Sequence, residues 1–439
     1  MGVRRVRGWL REAAGGLPRQ FWLLWTGTLI NRLGSFVVIY LAIYLTQDLR
    51  FSQSQAGLVL GAYGVGGAIG TMTGGVLTDR WGRRPTMLTA QFGAAALMLT
   101  LGFADGFWQL LAGAWLLGVF AEGVRPAFQA MMVDVVPDRD RIRAFSLNYW
   151  AINLGFAGAA ILAGLAAKFD YLLLFLVDAG TTLATALISL FFIAETKPVR
   201  AAVRRVRGGP GLGTVFRDRI FVGFLALNFL IVLVIMQHMS TLPIAMSSDG
   251  LSPATFGWVI AVNGLMIVAG QLFVPKLIDG HNRSRVLALA TVIMGLGFGL
   301  TAFAGTAGFY ALTVVIWTLG EMLQSPSNSA LVAELSPSLL RGRYQGVNSL
   351  SWSAGSALAP VIGGFVQEHA GSAALWLGCA VVGVLVAAGQ LISGPARERR
   401  AAELRVSEGR LTTPAPTATE MPHEEDITPP RQVPVAADE

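Results

Sequence analysis

Residues 52–84 read SQSQAGLVLGAYGVGGAIGTMTGGVLTDRWGRR, and residues 252–284 read SPATFGWVIAVNGLMIVAGQLFVPKLIDGHNRS. The two stretches align without a gap at an offset of 200 residues. The residues that recur are Ser52, Gly57, Val59, Gly64, Gly70, Leu77, Asp79 and Arg83, matched by Ser252, Gly257, Val259, Gly264, Gly270, Leu277, Asp279 and Arg283. At the same offset Pro126, Asn148 and Gly155 recur as Pro326, Asn348 and Gly355. Self-similarity at a fixed period indicates a duplicated structural unit.

The composition places this unit in a membrane. Of the 439 residues 54% are hydrophobic and 13% are charged, whereas a soluble domain carries about 25% charged residues. A helix that crosses a bilayer needs about 20 apolar residues. Twelve runs of this kind are present, at 20–46, 55–78, 86–104, 108–134, 144–167, 171–194, 219–246, 254–278, 286–304, 308–334, 344–366 and 373–393.

The repeat divides these runs into two sets of six in the same orientation. Parallel repeats related by an axis along the membrane normal are one of the recurring designs of transporters. We therefore predict an all-α membrane protein whose 12 transmembrane helices form two six-helix bundles. The predicted organisation is a basic N-terminal segment at 1–19, bundles at 20–194 and 219–393, a linker at 195–218 and a disordered tail at 394–439.

Basic residues give the orientation, because cytoplasmic loops are enriched in Lys and Arg. With the N-terminus inside, the outer loops hold only Arg50 and Lys168, and Arg32 and Arg125 lie within helices. The remaining basic residues all fall on the inner side. We expect a multi-pass protein of the plasma (inner) membrane with both termini in the cytoplasm and no cleaved signal peptide. This distribution explains the net charge of +7 without a nucleic-acid partner.

The loop after the second run, Gly75-Val-Leu-Thr-Asp79-Arg80-Trp-Gly82-Arg83-Arg84-Pro85, resembles the loop signature of the major facilitator superfamily. The resemblance extends over the whole membrane region. In that family the motif latches the inner gate, so the resemblance implies this role for Gly75, Asp79, Arg80, Gly82, Arg83, Arg84 and Asp134.

In physical terms, Asp79 can engage the positive N-terminus of a neighbouring helix, and Arg83 can reach the acid Asp134 at the end of the fourth helix. Asp279, Arg283 and Glu334 would form a weaker second latch. The alternative is a plain basic turn on the inner side.

Ionisable residues inside spans mark candidate coupling or substrate sites, because each costs about 2.5–3.5 kcal/mol at the bilayer centre on insertion scales. Glu122 and Glu321 occupy almost equivalent repeat positions near the middle of the fourth and tenth helices. The other candidates of this kind are Arg125, Arg32, Asn31 and Asp178. For Glu122 a static ion pair with Arg125 is an open alternative, and Asp178 is equally compatible with a capping role.

Polar and aromatic residues on helices five, seven, ten and eleven are candidates for the wall of a cavity. They are Asn148, Tyr149, Trp150, Asn153, Gln237, His238, Gln324, Asn328 and Trp352. Helix packing is the alternative for each of them.

The drug:proton antiporters of the superfamily carry a Gly-Pro-x-x-Gly-Gly signature in helix five. Here the first copy is degraded, with Ala159 and Ala160 at its start, while the second copy, Ala359-Pro360-Val-Ile-Gly363-Gly364, is closer. The resemblance nevertheless implies a secondary transporter, and we predict proton-coupled efflux of small hydrophobic or amphipathic compounds by alternating access. Uptake of a polar metabolite and a non-transporting membrane sensor are the alternatives.

Several classes of site find no support in the sequence. One cysteine, Cys379, excludes an internal disulfide framework and a thiolate zinc site. An ATP-binding loop of the Gly-x-x-x-x-Gly-Lys type is absent from the sequence. We expect no enzyme activity, no cofactor and no metal. The partners expected are a small-molecule substrate, protons and the lipid bilayer, with the protein acting as a monomer.

Overall fold

The computed structural model describes residues 15–196, 213–271 and 273–411, and the regular structure in these residues is helical throughout. Twelve helical segments, α1 to α12, correspond to the twelve predicted spans. Ten of them, within the described residues, pass a test of length and apolar composition for crossing a membrane. The other two segments are Arg83–Leu101 and Ala307–Leu335.

The first bundle consists of α1a (Arg19–Leu33), α1b (Val37–Ile43, extended by a π-helical turn to Asp48), α2 (Gln53–Arg80), α3 (Arg83–Leu101), α4 (Phe107–Val135), α5 (Arg141–Ala166) and α6 (Leu172–Phe192). The second bundle consists of α7a (Arg219–Ile235), α7b (Gln237–Ser248), α8a (Pro253–Gly270), α8b (Val274–Ile278), α9 (Arg283–Leu300), α10 (Ala307–Leu335), α11 (Arg341–Ala370) and α12 (Ser372–Leu411). A short helix, Gly213–Arg217, precedes α7a.

Repeat-related residues start equivalent helices in the two bundles. Ser52 caps α2 by accepting from the Gln55 backbone N–H at 3.2 Å, and the Gln55 side chain accepts from the Ser52 N–H at 3.0 Å. Ser252 caps α8a in the same way, accepting from the Thr255 N–H at 3.2 Å. These side chains satisfy backbone donors that the first turn of a helix leaves free.

Helix α1 is broken between Leu33 and Val37. Backbone groups exposed by a break must find partners inside the protein, because the hydrocarbon core supplies none. Asp178 of α6 provides one: its carboxylate accepts from the Val37 N–H at 3.1 Å, and its side chain is 1% exposed. The break is therefore tied to α6.

The two bundles meet along two seams: α2 packs against α11, and α5 packs against α8a. Glycines let the backbones touch. A Cβ at Gly57 would lie 2.3 Å from the Pro360 carbonyl oxygen, and one at Gly257 would lie 2.3 Å from that of Ala160. Tyr40 of α1b joins both bundles, because its hydroxyl donates to the carbonyls of Ala160 at 2.8 Å and Pro253 at 3.0 Å.

These contacts lie at one side of the protein. We call the side where α1a begins the inner side, and the opposite side the outer side. Along α5 the residues that face α8a, from Ala157 to Gly164, are buried in the outer half. The same helical face continues inward as Ser146, Tyr149 and Asn153, and there it is exposed or only partly covered. The bundles are therefore closed at the outer side and apart at the inner side.

The end of α12 differs from the predicted boundary. The sequence places a disordered tail from 394 onward, but α12 continues to Leu411. The reason is packing: Arg397 is 1% exposed and donates to Ser284 of α9 at 3.0 Å, to Gln390 within α12, and stands over the Phe224 ring at 5.8 Å. Parts of three predicted segments lie outside the described residues. They are 1–14 of the basic segment, 197–212 of the linker and 412–439 of the tail.

Replacing Arg397 should therefore destabilise the second bundle. We expect Arg397→Ala to cost about 1–3 kcal/mol, because it removes the partner of buried polar groups on α9 and α12. Thermal unfolding of the purified protein in detergent measures this, and Arg399→Ala on the exposed face of α12 is the matched control. Equal unfolding temperatures for the two variants would contradict the packing role.

Candidate functional site

Glu321 lies on α10 beside α8a, and its contacts there are polar. The Asn263 amide of α8a donates one hydrogen bond to the Glu321 carboxylate at 2.8 Å and a second to the Thr318 hydroxyl at 3.1 Å. Asn263 and Thr318 are 6% and 0% exposed. Among the described residues Glu321 has no ion-pair partner. A carboxylate inside a span is thus held by an amide rather than by a base.

Glu122 on α4 has a different environment. The Arg125 guanidinium lies 3.6 Å from its carboxylate, with side chains 65% and 32% exposed for Arg125 and Glu122. Helix α2 packs closely on α4 beside this pair: a Cβ at Gly67 would lie 2.9 Å from the Glu122 side chain, and one at Gly118 would lie 2.1 Å from the Tyr63 carbonyl oxygen.

Arg32 and Asn31 stand just before the break in α1. Arg32 is exposed, and its Cβ approaches Gly155 of α5 so closely that a Cβ there would lie 2.4 Å away. The Asn31 amide donates to the Thr182 hydroxyl of α6 at 3.0 Å. Asp178, described above, faces the backbone of the break and not the opening.

The candidate cavity residues divide into two groups. Tyr149, Trp150 and Trp352 are 42%, 38% and 38% exposed. Tyr149 and Asn153 lie on the face of α5 that packs on α8a farther out, so these two residues border the inner opening. Asn153 is partly covered and donates to the Tyr149 carbonyl. A Cβ at Gly264, the residue after Asn263, would lie 2.9 Å from the Asn153 carbonyl oxygen, so this face of α5 is close to the residue that holds Glu321.

The other candidates pack between helices. Gln237 donates to the Ala359 carbonyl of α11 at 3.1 Å, and Gln324 donates to the Asn228 side chain of α7a at 3.3 Å. His238 stacks with Trp317, with ring centroids 5.5 Å apart. Asn148 is buried and Asn328 is partly buried. For Gln237, Gln324 and His238 the packing alternative matches the contacts.

The inner loop motif is assembled within the first bundle. Arg83 Nε lies 2.9 Å from the Asp134 carboxylate at the end of α4. The Thr196 hydroxyl donates to the same carboxylate at 3.0 Å. Arg84 donates to the carbonyls of Ser189 and Leu190 at the end of α6. The motif thus ties α3, α4 and α6 together at the inner side.

Glu195 completes this arrangement. Its carboxylate accepts from the backbone N–H groups of Arg83 and Arg84 at 3.0 and 3.1 Å, at the N-terminus of α3. Gly82 before it has φ +121°, and a Cβ there would lie 2.5 Å from the Glu195 carboxylate. The glycine of the motif is therefore required by backbone conformation and by space.

The second copy of the motif keeps one contact of the first. Arg283 Nε lies 3.0 Å from Glu334, as Arg83 does from Asp134. Asp79 is exposed and makes no hydrogen bond or ion pair to the part of the chain that the structure describes. Asp279 contacts only its own loop in those residues, through the Gly280 N–H. The structure therefore brings together the Arg83–Asp134 pair and leaves Asp79 apart from other helices.

At the outer side a carboxylate bridges the bundles. Glu368 near the end of α11 accepts from the Ser54 N–H in the first turn of α2 at 2.7 Å. This is a favourable place for an anion, since the first turn of a helix carries free N–H groups and positive potential. The repeat-related position is Lys168, in the turn just after α5, so the charge at the second seam is reversed.

Two regions of the chain, residues 24–244 and 228–419, match the family model described as Major Facilitator Superfamily. The chain belongs to the major facilitator superfamily. The double match agrees with the 200-residue repeat, and it makes the protein a secondary transporter and not an enzyme.

Curated relatives cover most of the chain. It is 28% identical over 379 residues to the uncharacterized MFS-type transporter YttB of Bacillus subtilis strain 168, covering 83% of this chain and 93% of YttB. It is 25% identical over 347 residues to the multidrug resistance protein MdtH of Salmonella typhimurium strain LT2, covering 76% of this chain and 83% of MdtH.

Solved structures show the same fold. The nucleoside transporter NupG superposes with a TM-score of 0.74 at 14% identity, covering 86% of this chain and 99% of NupG. The POT family transporter PepTSo superposes with a TM-score of 0.73 at 15% identity, covering 87% of this chain and 99% of PepTSo. The predicted fold of twelve helices in two bundles is confirmed.

Sequence reasoning missed Asn263, Tyr63, Glu195 and Glu368. Asn263 and Tyr63 carried a usable signal, because they are polar residues at equivalent repeat positions inside apolar helices. Glu195 and Glu368 lie at helix ends, where acids are common and only the folded structure identifies the helix that each one reaches.

Loss of the Glu368 carboxylate should loosen the outer side. Glu368→Gln removes a charge-assisted bond between the bundles, so the population that is open at the outer side should grow. Spin labels are attached at Asp105→Cys and Gly305→Cys in a Cys379→Ser background. Double electron–electron resonance then measures the distance between the two labels across the outer side. We expect a new, longer component. Lys168→Gln is the control, and an unchanged distribution in Glu368→Gln would refute the bridge.

Proposed function

We propose that this transporter exports small hydrophobic or amphipathic compounds in exchange for protons, by alternating access in the plasma membrane, with both termini in the cytoplasm. The observation that carries the proposal is Glu321, a carboxylate inside a span, hydrogen-bonded to Asn263 at 2.8 Å and without a basic partner in the described residues. Neutralising such a group by a proton lowers the cost of its burial.

The route from protonation to movement is a change in population. Protonation of Glu321 changes the free-energy difference between the arrangement that is open at the inner side and the one that is closed there. The charged form favours the open arrangement, because the carboxylate is more hydrated in it. A substrate in the opening would contact the exposed ring of Tyr149. Aromatic faces of this kind suit apolar and cationic compounds without demanding one shape.

Glu122 is the second candidate for coupling. Its partner Arg125 stabilises the charged form, so a static pair remains the alternative at this position. Arg32 stands just before the break in α1, and Asp178 holds that break through the Val37 N–H.

Two observations bear on the direction of transport. MdtH is a multidrug resistance protein by name and aligns over 76% of this chain, which favours export. NupG is a nucleoside transporter and PepTSo a POT family transporter by name, and at 14% and 15% identity they share the fold with this chain. Uptake of a polar metabolite is the second candidate. The exposed Tyr149 ring beside the inner opening favours the first.

The inner motif would act as a latch when the inner side closes. In the open arrangement Arg83 and Asp134 stay paired, while Asp79 is exposed at the end of α2. Closing would bring Asp79 towards the N-terminus of a helix in the second bundle, where its charge is favourable.

Substitution of the two glutamates tests the coupling. In proteoliposomes with an imposed pH gradient and ethidium as an amphipathic probe, Glu321→Gln should abolish gradient-driven transport, because glutamine cannot take up a proton. Glu122→Gln should reduce it if Glu122 also titrates. Ser325→Ala, at an exposed position on α10, is the control. Full coupling in both glutamine variants would refute the assignment, and no ethidium transport by the wild type would refute export of such compounds.

The latch is tested by Asp79→Asn. Removing the charge should slow transport about two- to fivefold, because the closed inner side loses a charge–dipole contact worth about 0.3–1 kcal/mol. Initial rates in proteoliposomes measure this, with thermal unfolding to show that the variant is folded. Asp138→Asn, on an exposed inner turn, is the control. Unchanged turnover in Asp79→Asn would remove the latch.

A further inference from the structure

Among the described residues, Asn263 makes the side-chain hydrogen bond that links the Glu321 carboxylate to a neighbouring helix. Both hydrogens of its amide are in use, one on the Glu321 carboxylate at 2.8 Å and one on the Thr318 hydroxyl at 3.1 Å. A carboxylate only accepts, so the amide nitrogen must face it. Since Asn263 is 6% exposed, water does not substitute easily for the amide.

Asn263 also stands at the point where the bundles separate. The next residue, Gly264, is in contact with α5: a Cβ there would lie 2.9 Å from the Asn153 carbonyl oxygen and 2.9 Å from the Ala157 side chain. Outward of this point the α5–α8a seam is closed, and inward of it Tyr149 is exposed. The carboxylate, the amide and the inner end of the seam are therefore adjacent.

The first bundle repeats the placement with different chemistry. Tyr63 occupies the position equivalent to Asn263, on α2, where α2 packs on α4: a Cβ at Gly118 would lie 2.1 Å from the Tyr63 carbonyl oxygen. Glu122, however, has Arg125 as an ion-pair partner at 3.6 Å. In both bundles the polar residue thus lies where the seam helix packs on the helix that carries the glutamate, and among the described residues only Asn263 donates a hydrogen bond to that glutamate.

We propose that Asn263 is a positioning residue that holds the Glu321 carboxylate against α8a and transmits its protonation to the α5–α8a seam. This inference rests on the proposed role of Glu321. When a proton binds the carboxylate oxygen that accepts from Asn263, that oxygen becomes a poor acceptor, and the amide keeps only Thr318. One of the two hydrogen bonds from α8a to α10 is lost while the bond to Thr318 of α10 stays. The carboxyl group is then free to turn away from α8a, and the contact between α8a and α10 is weakened beside the inner end of the α5–α8a seam.

The experiment separates coupled from uncoupled transport. Asn263→Leu has nearly the same volume and lacks the amide. With ethidium as probe, we expect pH-gradient-driven accumulation in proteoliposomes to fall about tenfold, the worth of one hydrogen bond to a charged group. Ethidium counterflow without a gradient should stay within about twofold, since opening and closing around bound substrate does not require proton transfer.

A matched control and a double variant exclude a general packing defect. Asn228→Leu removes another buried amide of the second bundle, which contacts Gln324 and Asn348 but not Glu321. This variant should not change the ratio of gradient-driven accumulation to counterflow. In a Glu321→Gln background, where no proton is taken up at this position, adding Asn263→Leu should leave ethidium counterflow within about twofold. Where Asn263→Leu does not fold, Asn263→Ala is measured against the same criteria.

The possible failures are distinguishable. Parallel loss of counterflow and accumulation in Asn263→Leu, or a loss of counterflow when Asn263→Leu is added to Glu321→Gln, would overturn the role of Asn263. Full coupling in Asn263→Leu beside a complete loss in Glu321→Gln would overturn it too and leave the proposed function intact. Full coupling in Glu321→Gln itself would overturn the proposed function.

Discussion

The absence of water in the hydrocarbon core is the constraint on which the structure depends. Every backbone or side-chain polar group inside the bilayer needs a partner from the protein, and the described residues meet this demand in a few recurring ways. Asp178 accepts from the N–H at the break of α1, Asn263 donates to the Glu321 carboxylate, and Tyr40 directs its hydroxyl at carbonyls of both bundles. Each of these hydrogen bonds also joins one helix to another, so the same contact pairs a polar group and fixes the relative position of two helices.

The fold followed from the sequence because its signals are long and repeated. Twelve apolar runs, the 200-residue offset and the basic inner loops act over tens of residues, and tertiary detail cannot cancel them. The end of α12 was different: one buried side chain, Arg397, extends the helix beyond the apolar run, and its partner Ser284 is 113 residues away in the chain. A contact at such a distance leaves no local pattern to find.

The candidate site was only partly predictable for the same reason. The sequence indicates which ionisable residues lie within spans, because their cost makes them rare. It does not give the partner of each one. Glu122 has a base one turn away in its own helix, so that pair was expected. Glu321 depends on Asn263 of another helix, and Gln237 and Gln324 pack between helices instead of lining the opening.

The glycine contacts at the seams have a consequence for variation in this protein. At Gly57 and Gly257 even a methyl group would meet a carbonyl oxygen of the other bundle at 2.3 Å. Such a substitution would act as a wedge and bias the resting protein towards the arrangement open at the outer side, far from any group that binds cargo or protons. Natural or selected changes at these positions would therefore alter the speed of the transport cycle and leave its selectivity untouched.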